Sequence, residues 1–190
     1  MIGTITETAT MYKMVWGLIA LCGLSLHAAA NEIELSISDE IIDLRFTANY
    51  EQDFSGTFAL LHADHNNVKS DQVSYTFATR GTIDRVDITL GTRLFLLGVD
   101  SDDGFGAALG LGASTNLVGR VFITGEVFYA PEIITGGDFD STLDAELRLC
   151  YQLIDNGLLY IGYRQFEVDS KQIGKQDIYE DPFIGIKFTF

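Results

Sequence analysis

From Asn31 to Phe190, apolar and polar positions alternate with period two in one segment after another. Successive side chains of a strand point to opposite faces, so this pattern describes strands with one apolar and one polar face. Ile33, Leu35 and Ile37 interleave with Glu32, Glu34 and Ser36, and Ile42, Leu44, Phe46 and Ala48 with Asp43, Arg45, Thr47 and Asn49. The rhythm recurs at Val73-Phe77, Val86-Leu96, Ala107-Ala113, Val121-Tyr129, Leu143-Tyr151, Leu159-Tyr163 and Ile184-Phe190. Residues 56–64 (GTFALLHAD) are strand-like, but hydrophobicity does not separate their two faces. No helical period competes, and about ten strands of roughly 9–11 tilted residues match the height of a membrane-spanning β-strand.

A soluble sandwich alternates too, so the connections carry more weight. After Asp39-Glu40 the links are expected to be short at 51–55, long at 65–71, short at 80–85 and long at 98–105. They continue short at 115–118, long at 130–140, short at 153–157 and long at 168–181. Such asymmetry belongs to an outer-membrane barrel, with tight periplasmic turns on one rim and longer loops on the other. The predicted fold is therefore all-β: an antiparallel transmembrane up-and-down β-barrel of about 10 strands, with 8 as the alternative. At its end Phe190 shares a face with Phe188, Ile186 and Ile184, an arrangement that resembles the signal read by the bacterial barrel-assembly machinery.

Composition sharpens this picture. The 190 residues carry 12 Lys plus Arg against 27 Asp plus Glu, a formal net charge of −15. That excess repels a phosphate backbone and excludes nucleic acid as a partner. Mean hydropathy is +0.17, yet beyond the N-terminus no apolar run approaches the ~20 residues of a spanning helix. The N-terminal run from Met14 to Leu26 follows Lys13 and precedes Ala28-Ala29-Ala30, the parts of a secretory signal peptide cleaved after Ala30. The expected organisation is a signal peptide over 1–30 and a barrel over 31–190, with Ala28 and Ala30 forming the cleavage site. Glu7 weakens the basic n-region, and initiation at Met11 would remove it; Leu21 before Cys22 argues against lipidation. Cys150 is then the mature chain's one cysteine, so no intramolecular disulfide forms.

With the apolar set turned to lipid, the inward set holds Glu34, Asp43, Arg45, Asp87, Arg93, Glu126, Asp144, Glu146, Arg148, Arg164 and Lys187. Reversing the register would cost roughly 2–4 kcal/mol for each Arg or Lys at mid-bilayer. Two fillings fit these nearly balanced charges: a plug of crossed salt bridges, which the strand number favours, or a narrow charged path for small solutes. Unpaired charges away from water are expensive, so either filling requires internal pairing. Glycines of the Gly110-Leu111-Gly112 strand would leave room for inward Arg or Tyr side chains.

Catalytic and metal chemistry find little footing. His62-Ala63-Asp64-His65 offers two imidazoles and a carboxylate, but residues three apart do not share a strand face, and no metal is expected. A lipid-acting barrel enzyme would centre on His62 with Ser55, Ser70 or Ser74, though no G-x-S-x-G element exists. A soluble lipocalin-like carrier would need the opposite register and leaves Phe190 unexplained. No catalytic residue and no cofactor are expected, and the acidic links read as solvated surface.

Gly125-Glu126-Val127-Phe128-Tyr129-Ala130-Pro131-Glu132, Arg148-Leu149-Cys150-Tyr151-Gln152-Leu153-Ile154 and Tyr160-Ile161-Gly162-Tyr163-Arg164 resemble the YfaZ family of Gram-negative outer-membrane proteins. The resemblance is specific over 105–190 and rests on strand rhythm over 31–104. It implies a small outer-membrane barrel behind a signal peptide and no particular activity. The expected function is an envelope-structural barrel or a narrow passive channel. Its expected partners are outer-membrane lipids and lipopolysaccharide, with the assembly machinery and periplasmic chaperones during biogenesis, and a monomer is favoured.

Overall fold

A computed structural model describes residues 31–51, 53–66, 68–100, 102–171 and 174–190. The expected signal peptide and its Ala28 and Ala30 lie outside these residues. The strands are β1 (Glu32–Ile37), β2 (Ile41–Glu51), β3 (Phe54–His65), β4 (Val68–Ile83), β5 (Val86–Val99) and β6 (Asp102–Val118). They continue with β7 (Val121–Ala130), β8 (Thr135–Gly137), β9 (Phe139–Ile154), β10 (Gly157–Ser170) and β11 (Gly174–Thr189). All but β8 belong to the wall, each antiparallel to its neighbours, and β1 pairs with β11 to close the ring. Ten wall strands form the barrel. Along Ile184–Thr189 this closure leaves no free ladder against hydrocarbon, which cannot hydrogen-bond an open edge. The three-residue β8 follows a 3-10 turn at Glu132–Ile134 and pairs with the start of β6.

The register follows the sequence pattern. Phe77, Leu94, Leu109, Leu147 and Ile161 are all half-exposed on the outer wall, while Asp43, Arg93, Asp144, Glu146 and Arg164 are buried. Residues 56–64 also resolve into two faces. Thr57, Ala59 and Leu61 line the lumen, so Phe58, Leu60 and His62 point outward. Their faces looked alike because the upper lumen is itself apolar.

The expected long links at 65–71, 98–105 and 168–181 need correction. β3 ends at His65 and β4 begins at Val68, β5 ends at Val99 and β6 begins at Asp102, and β10 ends at Ser170 and β11 begins at Gly174. Only the connection spanning 131–138 is long. Asn66, Asp84 and Asp100 have φ of 53°, 56° and 50°, and Gly119 has φ 56°. These are the left-handed positions that two-residue hairpins require, and they occur on both rims. Beyond the hydrocarbon zone a strand's outer face is polar, so hydrophobic alternation stops while the hydrogen-bond ladder runs on through Asp71↔Gly98 and Asp169↔Lys175. Asn31, Phe190 and the turns at 84–85, 119–120 and 155–156 share one rim, the periplasmic one. The 131–138 connection lies on the other.

One irregularity matters for the lumen. Phe166 pairs with Tyr179 and Glu167 with Asp177, leaving Ile178 as an extra residue in β11. This bulge re-aims the strand. Ile178 and Tyr179, consecutive in sequence, are both fully buried.

Candidate functional site in the barrel lumen

Nine of the eleven inward charges named above meet in one layer. Arg45 on β2 reaches across the lumen to Glu126 at 3.1 Å and Glu146 at 2.8 Å, and also contacts its own strand's Asp43 at 2.8 Å. Arg164 on β10 bridges Asp43 and Asp144, each at 2.8 Å. Arg148 binds Glu34 at 2.8 Å and Glu146, while Arg93 binds Asp144 and lies 3.6 Å from Glu126. Four guanidiniums thus share five carboxylates (Glu34, Asp43, Glu126, Asp144, Glu146), joined from β1, β2, β5, β7, β9 and β10. Planar guanidiniums with several donors suit such a shared lattice, because each can serve two or three acceptors at once.

Aromatic rings hold the arginines in place. The Arg93 guanidinium stacks on Phe128 at 3.7 Å, and Arg148 lies 4.8 Å from the Tyr160 ring. Tyr160 in turn shares a hydrogen bond with Ser36 Oγ at 2.8 Å. Two glycines make space for these rings. A Cβ on Gly110 would sit 2.2 Å from Phe128, and one on Gly185 would sit 2.2 Å from Tyr160. The expectation for Gly110 is therefore corrected: it accommodates a phenyl ring, which then carries the arginine.

Asp87 and Lys187 stay out of this layer. Asp87 accepts from Thr82 at 2.7 Å beside the 84–85 turn, and Lys187 pairs with Glu32 at 2.9 Å near the termini. Both line the periplasmic mouth.

Above and below the ion pairs the lumen differs. On the far side, toward the 131–138 connection, Leu61, Phe95, Leu97, Val99, Phe139, Phe166, Val168, Ile178 and Tyr179 are buried in one apolar cluster. Sequence reading missed this plug, although one signal was available. Leu94-Phe95-Leu96-Leu97-Gly98-Val99 is apolar on both faces, which marks a strand segment buried on both sides. On the near side a cavity of about 360 Å³ is lined by small residues such as Thr47, Thr57, Ser74, Thr89 and Gly112. Glu126, a third exposed, faces it from the ion-pair layer.

The His62-to-His65 motif is split by the wall. His62 points outward and pairs with Asp71 at 2.8 Å, whereas Ser55, Ser70 and Ser74 turn to the lumen side. No nucleophile stands beside His62 among the described residues. His65 instead meets Glu40 and Asp181 at the outer rim. Its hydrogen bond holds the Glu40 carboxyl below the usual carboxylate range.

A family profile described as "YfaZ precursor" matches residues 11–190. The chain belongs to the YfaZ family. No curated protein matches it. Among solved structures, this YfaZ-family barrel is similar to a bacterial polysaccharide outer-membrane secretin at 10% identity. The likeness covers 79% of this chain and 56% of that one, with a TM-score of 0.48. The chain thus spans little more than half the secretin's length. A KdgM porin in complex with disordered oligogalacturonate is 10% identical over 84% of this chain and 98% of its own, with a TM-score of 0.44. An anion-selective porin from Comamonas acidovorans is 14% identical over 79% and 49%, with a TM-score of 0.42. The YfaZ-family protein is a small outer-membrane β-barrel, and no catalytic site is evident among the described residues.

Proposed function

We propose that this barrel is a structural element of the outer membrane that does not conduct solutes. The observation that carries the reading is the apolar plug stacked on a cross-linked ion-pair layer. A solute crossing the lumen would have to separate paired charges and then displace packed Phe, Leu and Ile side chains. The periplasmic cavity ends at those charges and at Leu61 of the plug. The test is conductance of the purified, refolded barrel in planar bilayers, with heat-modifiable migration on gels confirming that it is folded. Folded protein giving no discrete current steps is the expected result; steps of constant size would overturn the reading.

The route to the membrane is part of the same proposal. The Met14-to-Leu26 segment directs export and is removed after Ala30. Ile184, Ile186, Phe188 and Phe190, exposed on the outer wall, present the final strand to the assembly machinery after chaperoned passage through the periplasm. The folded monomer then contacts lipid along its wall and lipopolysaccharide at the outer rim. Phe190→Ala should lower the fraction of heat-modifiable protein recovered in outer membranes; unchanged recovery would count against the terminal residue's role.

A further inference from the structure

The outer end of the wall has a seam. β1 is short and pairs with β11 only along Ile184–Thr189. Residues 174–183 of β11 therefore pair with β10 on one side and with no strand on the other. The opposite bank is the β1–β2 turn at 38–40 and the end of β3, and side chains, rather than a backbone ladder, join the two banks. The Tyr179 hydroxyl lies 3.2 Å from Ser38 Oγ. Beside it, Glu40 from the turn, His65 from β3 and Asp181 from β11 converge, with their ligand atoms all within 4.8 Å of one another.

Two carboxylates here face one imidazole nitrogen. His65 Nδ1 is hydrogen-bonded to Glu40 Oε2 and lies 3.5 Å from Asp181 Oδ2. Nδ1 serves one carboxylate at hydrogen-bond distance, and the Asp181 carboxyl meets Glu40 directly, a contact between two acids that needs a shared proton or a cation between them. A cation at the centre serves both. Outside the triad, the Asn66 amide lies 2.7 Å from His65 Nε2 and holds the ring with Nδ1 toward the carboxylates. A partner on the far nitrogen is what orients metal-binding imidazoles. With a metal on Nδ1, Nε2 carries the proton and donates it to the Asn66 carbonyl oxygen after an amide flip.

We propose that Glu40, His65 and Asp181 bind a zinc-class divalent cation that clasps the free edge of β11 to the β1–β2 turn and β3. One nitrogen and two carboxylate oxygens suit Zn²⁺ with an open fourth position, whereas Ca²⁺ and Mg²⁺ take oxygen ligands throughout. Asp181 and Glu40 are partly exposed, at 39% and 26% of their side chains, so the cation reaches the triad from the outer face. The assignment is independent of whether the lumen conducts.

The experiment is a Zn²⁺ titration by calorimetry of the refolded, chelator-stripped barrel, with folding checked by heat-modifiable migration. One Zn²⁺ per chain is expected, with Ca²⁺ binding far more weakly. Asn66→Ala should weaken Zn²⁺ by about 10–100-fold, His65→Gln and Asp181→Asn should weaken it further, and His62→Gln should leave it unchanged. Folded wild-type protein that binds no stoichiometric Zn²⁺ would overturn the proposal. So would folded His65→Gln protein with wild-type affinity, or a loss caused by His62→Gln alone.

Discussion

The outer and periplasmic halves of the lumen are enclosed by the same strands but filled in opposite ways. On β5, Phe95, Leu97 and Val99 pack into the plug, while Gly91 and Thr89 a few residues below line an open cavity. On β3, Leu61 packs into the plug at the cavity's inner end, while Thr57 lines the cavity wall below it. Between them lies the ion-pair layer, which faces hydrocarbon-like packing on one side and a polar cavity on the other. The difference shows how the wall strands' own side chains can fill one half of a ten-stranded lumen. Bulky side chains fill one half, and small ones leave the other half open.

The layer where the two halves meet should be the most sensitive place to cut. Asp144→Ala leaves Arg93 and Arg164 short of their shared carboxylate in a buried setting, since Asp144 is only 6% exposed. Breaking a buried pair by removing one partner costs about 3–5 kcal/mol. Urea unfolding of the refolded barrel, followed by the heat-modifiable shift, should record that loss. A loss below about 1 kcal/mol would mean that water already solvates the arginines, as for an exposed pair.

The plug should come next. Leu97 is 2% exposed, and a core Leu→Ala substitution costs about 2–5 kcal/mol through lost burial and the cavity left behind. We expect Leu97→Ala to fall near 3 kcal/mol and to remain non-conducting, because the ion-pair layer beneath is untouched. Current steps from this variant would show that the plug alone seals the barrel.

A smaller effect is expected where a ring supports the layer. Gly110→Ala drives a methyl group into Phe128, whose face carries Arg93. Overpacking of this kind costs about 1–3 kcal/mol. Neutral behaviour would mean that Phe128 can rotate away without loosening Arg93.

These regions were unequally legible in the sequence. The wall was readable because lipid on one face and a filled lumen on the other impose a strict period of two, as in Leu143–Tyr151. The inward charges could be named for the same reason, but their partners could not. Arg45 and Glu146 are 101 residues apart, and their meeting depends on ring closure and strand tilt, which no local pattern encodes. The plug was hidden because an apolar inner face beside an apolar outer face erases the alternation. The seam was hidden for another cause: residues 168–181 look like a loop when both faces lose contrast, although their ladder to β10 continues past Ile178.

The mildest intervention asks whether the two halves differ in access. Ser55 lines the cavity, whereas Ser70 is 2% exposed near the plug. In a Cys150→Ser background, Ser55→Cys should change stability by no more than about 0.5 kcal/mol, as expected away from packed or paired features. A maleimide linked to a polymer too large for porins should leave Ser55→Cys unmodified in intact cells. A small maleimide should modify it in the detergent-solubilised, folded barrel, where the periplasmic mouth is free. Ser70→Cys should resist both reagents until the barrel is unfolded. If Ser55→Cys reacts with the polymer reagent from outside the cell, the outer half is open and the contrast between the halves fails. If Ser70→Cys reacts in the folded barrel as fast as Ser55→Cys, the plug is too loosely packed to exclude solute, and closure would have to rest on the ion pairs alone.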